Sequence, residues 1–196
     1  GPVAPADVEK LLKNFAARAW RRPVTDAEVA PYVKLVHGLM EDPKAKPLGA
    51  IKGLKYRVYH GKWTKLPTFD ELKPAAEGAL AGGLIDIRPA RKPDYYAMGF
   101  EGRLEAPVAG EYAFELASDD GSRLIVANQK VIEHDGLHGA STKRGNVRLA
   151  KGTHAIRLEY FAYGRPNSLR LAWSGPGIAS TPLSVAQTAP QQIVGN

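Results

Sequence analysis

The sequence predicts a mainly β protein, an antiparallel β-sandwich preceded by a short N-terminal α-helical hairpin. Three observations carry this expectation. From Gly53 onward, apolar and polar residues alternate with period two in many short runs. Turns such as Ala109-Gly110, Lys151-Gly152 and Gly164-Arg165-Pro166 separate the runs, which is the rhythm of a sandwich. Before Gly53 the apolar spacing is helical instead.

Residues 1–50 read as the helical hairpin and a linker. Val8, Leu11, Leu12, Phe15, Ala16 and Ala19 recur on one helical face, with Asp7 placed to cap it. Arg21-Arg22-Pro23 ends that helix, because the residue before proline avoids the helical region. Thr25-Asp26-Ala27-Glu28 is a capping-box pattern that opens a second helix through Val29, Tyr32, Val33, Val36 and Met40. Pro31 lies in its first turns and would delay or kink it. Residues 41–50 are polar and proline-bearing, as a linker is.

Residues 51–180 form the predicted sandwich. Leu54, Tyr56 and Val58 alternate with Lys55, Arg57 and Tyr59 in a first strand. Further strands are expected at 95–104, 111–117, 123–127, 130–133, 146–149, 154–161 and 168–173. Residues 64–94 interrupt the pattern with Pro67, Pro74, Gly78, Gly82-Gly83, Pro89 and Pro93, so a long, loop-rich excursion is expected there. Residues 181–196 are poor in apolar side chains and read as a tail.

Composition removes several function classes. The 196 residues suit one ordinary domain with a small appendage. The absence of cysteine excludes disulfides, thiolate metal sites and thiol nucleophiles. No apolar run reaches the roughly 18 residues of a membrane helix. The net charge of +7 is spread along the chain; Arg21-Arg22, Arg91-Lys92 and Lys143-Arg144 are isolated pairs. A nucleic-acid binder would gather such charge into a stripe interleaved with aromatics, so these pairs read as solvated faces, with an anionic partner such as an acidic polysaccharide as the lesser alternative. Gly1-Pro2 has the form left by removal of a tag, which places the natural N-terminus elsewhere.

The chemistry-bearing stretch is Ser118-Asp119-Asp120-Gly121-Ser122, a turn between two apolar runs. Adjacent carboxylates repel, and two arrangements accommodate them. One is a hydrated turn whose aspartates accept nearby backbone N–H groups. The other is a calcium ion, for which two aspartates begin a shell of about 6–8 oxygens. His134 and His138 are four apart but in a glycine-containing loop, a weak metal pattern. Glu133 and Asp135 flank His134, but no nucleophile motif accompanies them, so an enzyme is not expected. Tyr163, in a Gly-Pro loop, is placed either to stack on a sugar ring or to pack on its own loop.

The ordered set Gly53-Leu54-Lys55-Tyr56-Arg57-Val58-Tyr59, Tyr96-Ala97-Met98-Gly99-Phe100-Glu101-Gly102, Ser118-Asp119-Asp120-Gly121-Ser122, Asp135-Gly136-Leu137-His138-Gly139 and Leu171-Ala172-Trp173-Ser174-Gly175-Pro176-Gly177 resembles the protective-antigen-type, lectin-like (PA-14) domain family. The resemblance implies a non-catalytic sandwich carried by a larger exported bacterial protein. It implies binding of a glycan or polysaccharide, assisted by calcium. In lectin-like members the paired aspartates are joined by a cis peptide bond and hold the cation; Asp119 and Asp120 match them. Asp135, His134, His138, Tyr163 and Asn167 then fall in the surrounding ligand-binding loops. A side-chain amide ligand of that family aligns with Ala162, with Asn167 nearby; and Ala127-Asn128 stands where many relatives have Asp-Gly. The alternative is a structural or protein-interaction module that positions neighbouring domains of the same polypeptide. Residues 15–29 resemble a helical module of planctomycete-type cytochrome proteins, implying an extracellular, cell-surface or periplasmic setting.

Overall fold

A computed structural model describes residues 5–20, 22–30, 32–33, 51–90, 94–164 and 166–185. The chain divides into two compact units, Gly1–Lys46 and Pro47–Asn196.

In the first unit, helix α1 spans Pro5–Trp20. It begins two residues before Asp7, which therefore lies in the first turn and is not the cap. Proline suits a first helical position because its missing N–H would have no partner there. Half of the capping box forms: Glu28 reaches back to Thr25, but the Thr25 hydroxyl also turns to that carboxylate and leaves the Glu28 N–H to a backbone carbonyl. The Glu28 carboxylate accepts the Thr25 backbone N–H at 2.9 Å and the Thr25 hydroxyl at 3.0 Å. The Glu28 N–H donates to the Thr25 carbonyl at 3.2 Å. Arg22 donates to the same carboxylate at 2.5 Å and, with Thr25, holds the Glu28 carboxyl down to about 2. Residues 26–30 and 32–33 are helical, and Val29 is buried. Pro31, Val36, Met40 and the expected linker at 41–50 lie outside the described residues.

Among the described residues the second unit has ten strands in two antiparallel sheets. They are β1 (Lys52–His60), β2 (Ala76–Ala79), β3 (Tyr95–Ala106), β4 (Gly110–Asp119), β5 (Ser122–Val126), β6 (Gln129–His134), β7 (Ser141–Leu149), β8 (Gly152–Tyr163), β9 (Ser168–Gly175) and β10 (Ile178–Pro182). One sheet has the order β2-β1-β3-β8-β5-β6 and the other β10-β9-β4-β7. Period-two alternation aims Leu54 and Val58, Met98 and Phe100, and Leu158 and Tyr160 into the same buried core as Tyr112, Phe114, Leu116, Leu171 and Trp173. Trp173 stacks on Tyr112 with ring centroids 5.3 Å apart. Each such side chain contributes about 1.5–3 kcal/mol through burial, and this core is what holds the two sheets face to face.

The proline-rich excursion has two jobs. Trp63, Leu66, Phe69 and Leu72 pack on Tyr59, Ala97 and Phe161, forming a second, smaller apolar cluster. This accounts for apolar residues at strand positions that alternation would assign to water. The excursion also contains β2, an edge strand not expected from its sequence, paired with β1 from Lys55↔Ala79 to Val58↔Ala76. Ile85 then enters the main core and bridges to Ser184. Residues 181–185, expected in the tail, belong to the sandwich: Leu183 is fully buried and the Ser184 hydroxyl accepts the Leu171 N–H at 3.1 Å. Residues 186–196 lie outside the described residues.

A band of alternating charge crosses the six-stranded sheet. Glu77 on β2 meets Arg57 on β1 at 3.7 Å, and Arg57 meets Glu101 on β3 at 3.7 Å. Glu101 meets Arg157 on β8 at 3.6 Å, and Arg157 meets Glu159 at 2.8 Å. Glu159, buried, meets Arg123 on β5 at 2.9 Å, and Arg123 meets Glu133 on β6 at 3.0 Å. Isolated surface pairs contribute little; here each inner charge is held by two opposite neighbours.

Candidate functional site

Strand order fixes where the paired aspartates sit. β4 belongs to the four-stranded sheet and β5 to the six-stranded one. The segment Asp119-Asp120-Gly121 therefore carries the chain from one sheet to the other instead of closing a hairpin. The β6–β7 and β8–β9 connections make the same crossing. Hydrogen bonds join these crossings at one end of the sandwich.

The Asp119–Asp120 peptide bond is cis. Asp120 is 8% exposed, and its carboxylate grips both neighbouring crossings. Oδ1 accepts the His138 N–H at 3.1 Å, and Oδ2 accepts the Tyr163 N–H at 2.8 Å. Asp119 stands beside it. Burial and the negative charge of Asp120 push the Asp119 carboxyl up, against the opposing effects of the Ala140 backbone N–H and His138. The Asp119 carbonyl accepts the Tyr160 hydroxyl at 2.5 Å, and the flanking Ser118 and Ser122 hydroxyls share a buried hydrogen bond of 2.7 Å. Gly121 is required by close approach: a Cβ there would lie 2.4 Å from Phe161 Cε1 and 3.0 Å from Asp135 Oδ1.

The other expected residues surround this pair in different roles. Asp135 Oδ1 accepts the Leu66 and Gly136 N–H groups, each at 2.7 Å, and so ties the excursion to the rim. Glu133 is committed to Arg123 and Lys130. The His134 and His138 rings lie stacked, 3.9 Å apart and 11° from parallel. His134 Nε2 bonds Ser141 Oγ at 3.1 Å, while its buried Nδ1 has no partner. Burial, then His138 and Lys143, lower the His134 pKa. Stacked rings do not converge on one ion, so the pair does not form a two-histidine centre. Tyr163 is 41% exposed, with its ring edge-on to Tyr95 at 5.1 Å, and Lys62 Nζ lies 4.2 Å from the Tyr95 ring. Asn167 is half-buried in the β8–β9 crossing. Ala162 packs in the main core and brings no side-chain oxygen to the loops.

Tyr95, Lys62 and the Ala140 N–H were not singled out as site groups by sequence reasoning. Only Tyr95 had a signal, an aromatic at the start of a strand; backbone donors leave none. As for calcium, the donor set fits in kind. Two adjacent carboxylates supply the acidic part of a shell, and each Asp120 oxygen keeps one acceptor direction beyond its N–H bond. Among the described residues no three His, Asp or Glu side chains converge. The remaining ligands would therefore be backbone carbonyls and water.

A β-sandwich with a paired-aspartate crossing at one end is a loop-rimmed module, its polar groups carried on connections above a rigid scaffold. The chain belongs to the PA14 domain family, whose model matches residues 82–185, just over half of the sequence. Among solved structures it is similar to a PA14 sugar-binding domain from an RTX adhesin, with 22% identity, a TM-score of 0.54 and coverage of 68% of this chain and 95% of that one. The PA14 domain of the MpAFP antifreeze protein is similar at 14% identity, TM-score 0.55, covering 73% and 93%. The epithelial adhesin 9 A domain of Candida glabrata, solved with Galβ1-4GlcNAc, gives 12% identity, TM-score 0.50, covering 70% and 89%. No curated protein matches the chain. Among the described residues no helix is long and apolar enough to cross a membrane.

Proposed function

We propose that this chain is a non-catalytic carbohydrate-binding module of a larger exported bacterial protein, acting outside the cytoplasm. Its sugar site is the rim around Asp119 and Asp120. The observation that carries this reading is the Asp120 carboxylate, which holds the β6–β7 and β8–β9 crossings around a second carboxylate, Asp119, that forms no ion pair among the described residues. Asp119 and Asp120 would hold a calcium ion, which when bound offers open coordination positions to vicinal sugar hydroxyls. Tyr163 supplies an aromatic face, braced by Tyr95, for the C–H side of a sugar ring. Asn167 and the His138–Ala140 segment close the rim. Two structural relatives, a PA14 sugar-binding domain from an RTX adhesin and an epithelial adhesin domain solved with Galβ1-4GlcNAc, support the class of ligand.

The test is calorimetric titration with calcium, followed by a glycan array with and without EDTA. Saturable calcium heat and calcium-dependent glycan binding are expected, both lost in Asp119→Ala. Calcium heat or glycan binding that survives Asp119→Ala rejects the assignment of the site.

A second reading has its own observation. Both Asp120 oxygens already accept backbone N–H groups, which is what a purely structural brace needs. That reading makes the chain an interaction module for neighbouring domains, with no calcium heat and no glycan retained in the same experiment.

A further inference from the structure

A second charged surface, remote from the paired aspartates, lies on the outer face of the six-stranded sheet. Two shallow grooves of about 400 and 480 Å3 share Lys55, Glu101 and Arg157 as a common wall. Both volumes fall in the ~300–1,000 Å3 range of ligand clefts. The larger groove is lined by Lys52, Lys55, Arg103 and Arg157 against a single acid, Glu101. Lys52 and Arg103 are direct cross-strand partners on β1 and β3. Like charges placed opposite one another destabilise an antiparallel pair. Lys52 is relieved by an ion pair with Glu105. Lys55 and Arg103 have no carboxylate within ion-pairing distance among the described residues. The backbone makes room for this cluster. The β1–β3 register slips between Lys52 and Lys55, with Gly53 at φ +60°, and Gly102 permits the approach because a Cβ there would lie 2.4 Å from Ile51.

We propose that this groove binds a segment of acidic polysaccharide, a chain whose sugars carry carboxylate or sulfate groups. Charge complementarity selects an anion, and the form of the cluster selects the kind. Glu101 stands among the cations and would repel the continuous phosphates of a nucleic-acid backbone. A polysaccharide spaces its anions between hydroxyls, so one group can meet Lys55 and Arg103 while a hydroxyl donates to Glu101. The smaller groove continues the same wall toward β2, where Arg57 and Glu77 offer polar groups to the next sugar along the chain. The proposal is independent of the calcium site at the end of the sandwich.

The experiment uses the full chain and four probes: polygalacturonate for carboxylate, heparin for sulfate, dextran as neutral control and a duplex DNA of matched charge. Binding is measured in EDTA, where the paired-aspartate site is silent. Polygalacturonate or heparin is expected to bind, weakening with salt, and dextran is not; which of the two binds more tightly names the anionic group. Lys55→Glu and Arg103→Glu should each weaken binding tenfold or more, and Lys55→Gln severalfold with an unchanged thermal melt. Arg148→Glu changes net charge equally on the exposed face of β7 and should leave binding intact. Failure of both acidic polysaccharides to bind, equal binding of DNA, or an equal loss in Arg148→Glu overturns the proposal.

Discussion

Replacing Asp120 with asparagine tests the brace at the heart of the site. The side chain keeps its shape but exchanges one acceptor oxygen for an N–H2 donor. In the native arrangement the two oxygens accept the His138 and Tyr163 N–H groups at 3.1 and 2.8 Å, in surroundings that leave Asp120 8% exposed. The asparagine satisfies one of these and turns a donor toward the other. A buried donor left without an acceptor costs about 1–3 kcal/mol, and for a unit of this size that lowers the melting temperature by roughly 2–10 °C. Asp120→Ala leaves both donors unmet and should cost about 2–5 kcal/mol. Urea unfolding in EDTA measures these losses without any contribution from a bound cation. Hydrogen exchange adds the location: the His138 or Tyr163 amide should lose protection in Asp120→Asn, and both should in Asp120→Ala. If Asp120→Asn unfolds within about 0.5 kcal/mol of the parent and both amides stay protected, the backbone grip is not what positions the rim.

Asp119→Asn should act in the opposite direction in EDTA. Its carboxyl is pushed up by burial and by Asp120, so the folded state holds a proton that the unfolded state has released. Stability then falls as pH rises from the ordinary carboxylate value through the raised one, and stays lower at neutrality. The amide removes this charge, so a higher melting temperature at pH 7 and a flatter pH profile are expected, together with loss of any stabilisation by calcium. Ala127→Gly should stabilise by about 0.5–1 kcal/mol in urea unfolding, because alanine is held at φ +50° in the β5–β6 turn. Gly121→Ala should cost about 1–3 kcal/mol by overpacking, since its Cβ would press on the buried Phe161 ring; a melt equal to the parent's would refute that approach.

The parts of the fold legible in the sequence were those with a repeating signal. Alternation located β1, β3, β4, β8 and β9, and the Thr25–Glu28 spacing located the capping box. β2 was hidden because Ala76-Glu77-Gly78-Ala79 has no alternation and is held as a strand only by pairing with β1. Leu183 was placed in a tail because one leucine among polar residues has no period; its burial depends on a cavity that the other strands create. The paired aspartates were legible as a motif. Their bonding was not, because the partners are backbone N–H groups 18 and 43 residues away. Asp135 shows the same limit: it was expected at the rim, and its bond to the Leu66 N–H spans 69 residues that no local pattern connects.

The stacked imidazoles of His134 and His138 also set a condition on handling. His138 lies in the β6–β7 connection that Asp120 grips and His134 ends β6, and among the described residues the buried His134 Nδ1 has no hydrogen-bond partner. Burial, then His138 and Lys143, hold the His134 imidazole below its ordinary pKa, so charging it would be resisted by a ring stacked 3.9 Å away beside the proposed site. Comparing glycan binding in acetate and in neutral buffer therefore reports whether a charge on His134 reaches the connections that Asp120 holds.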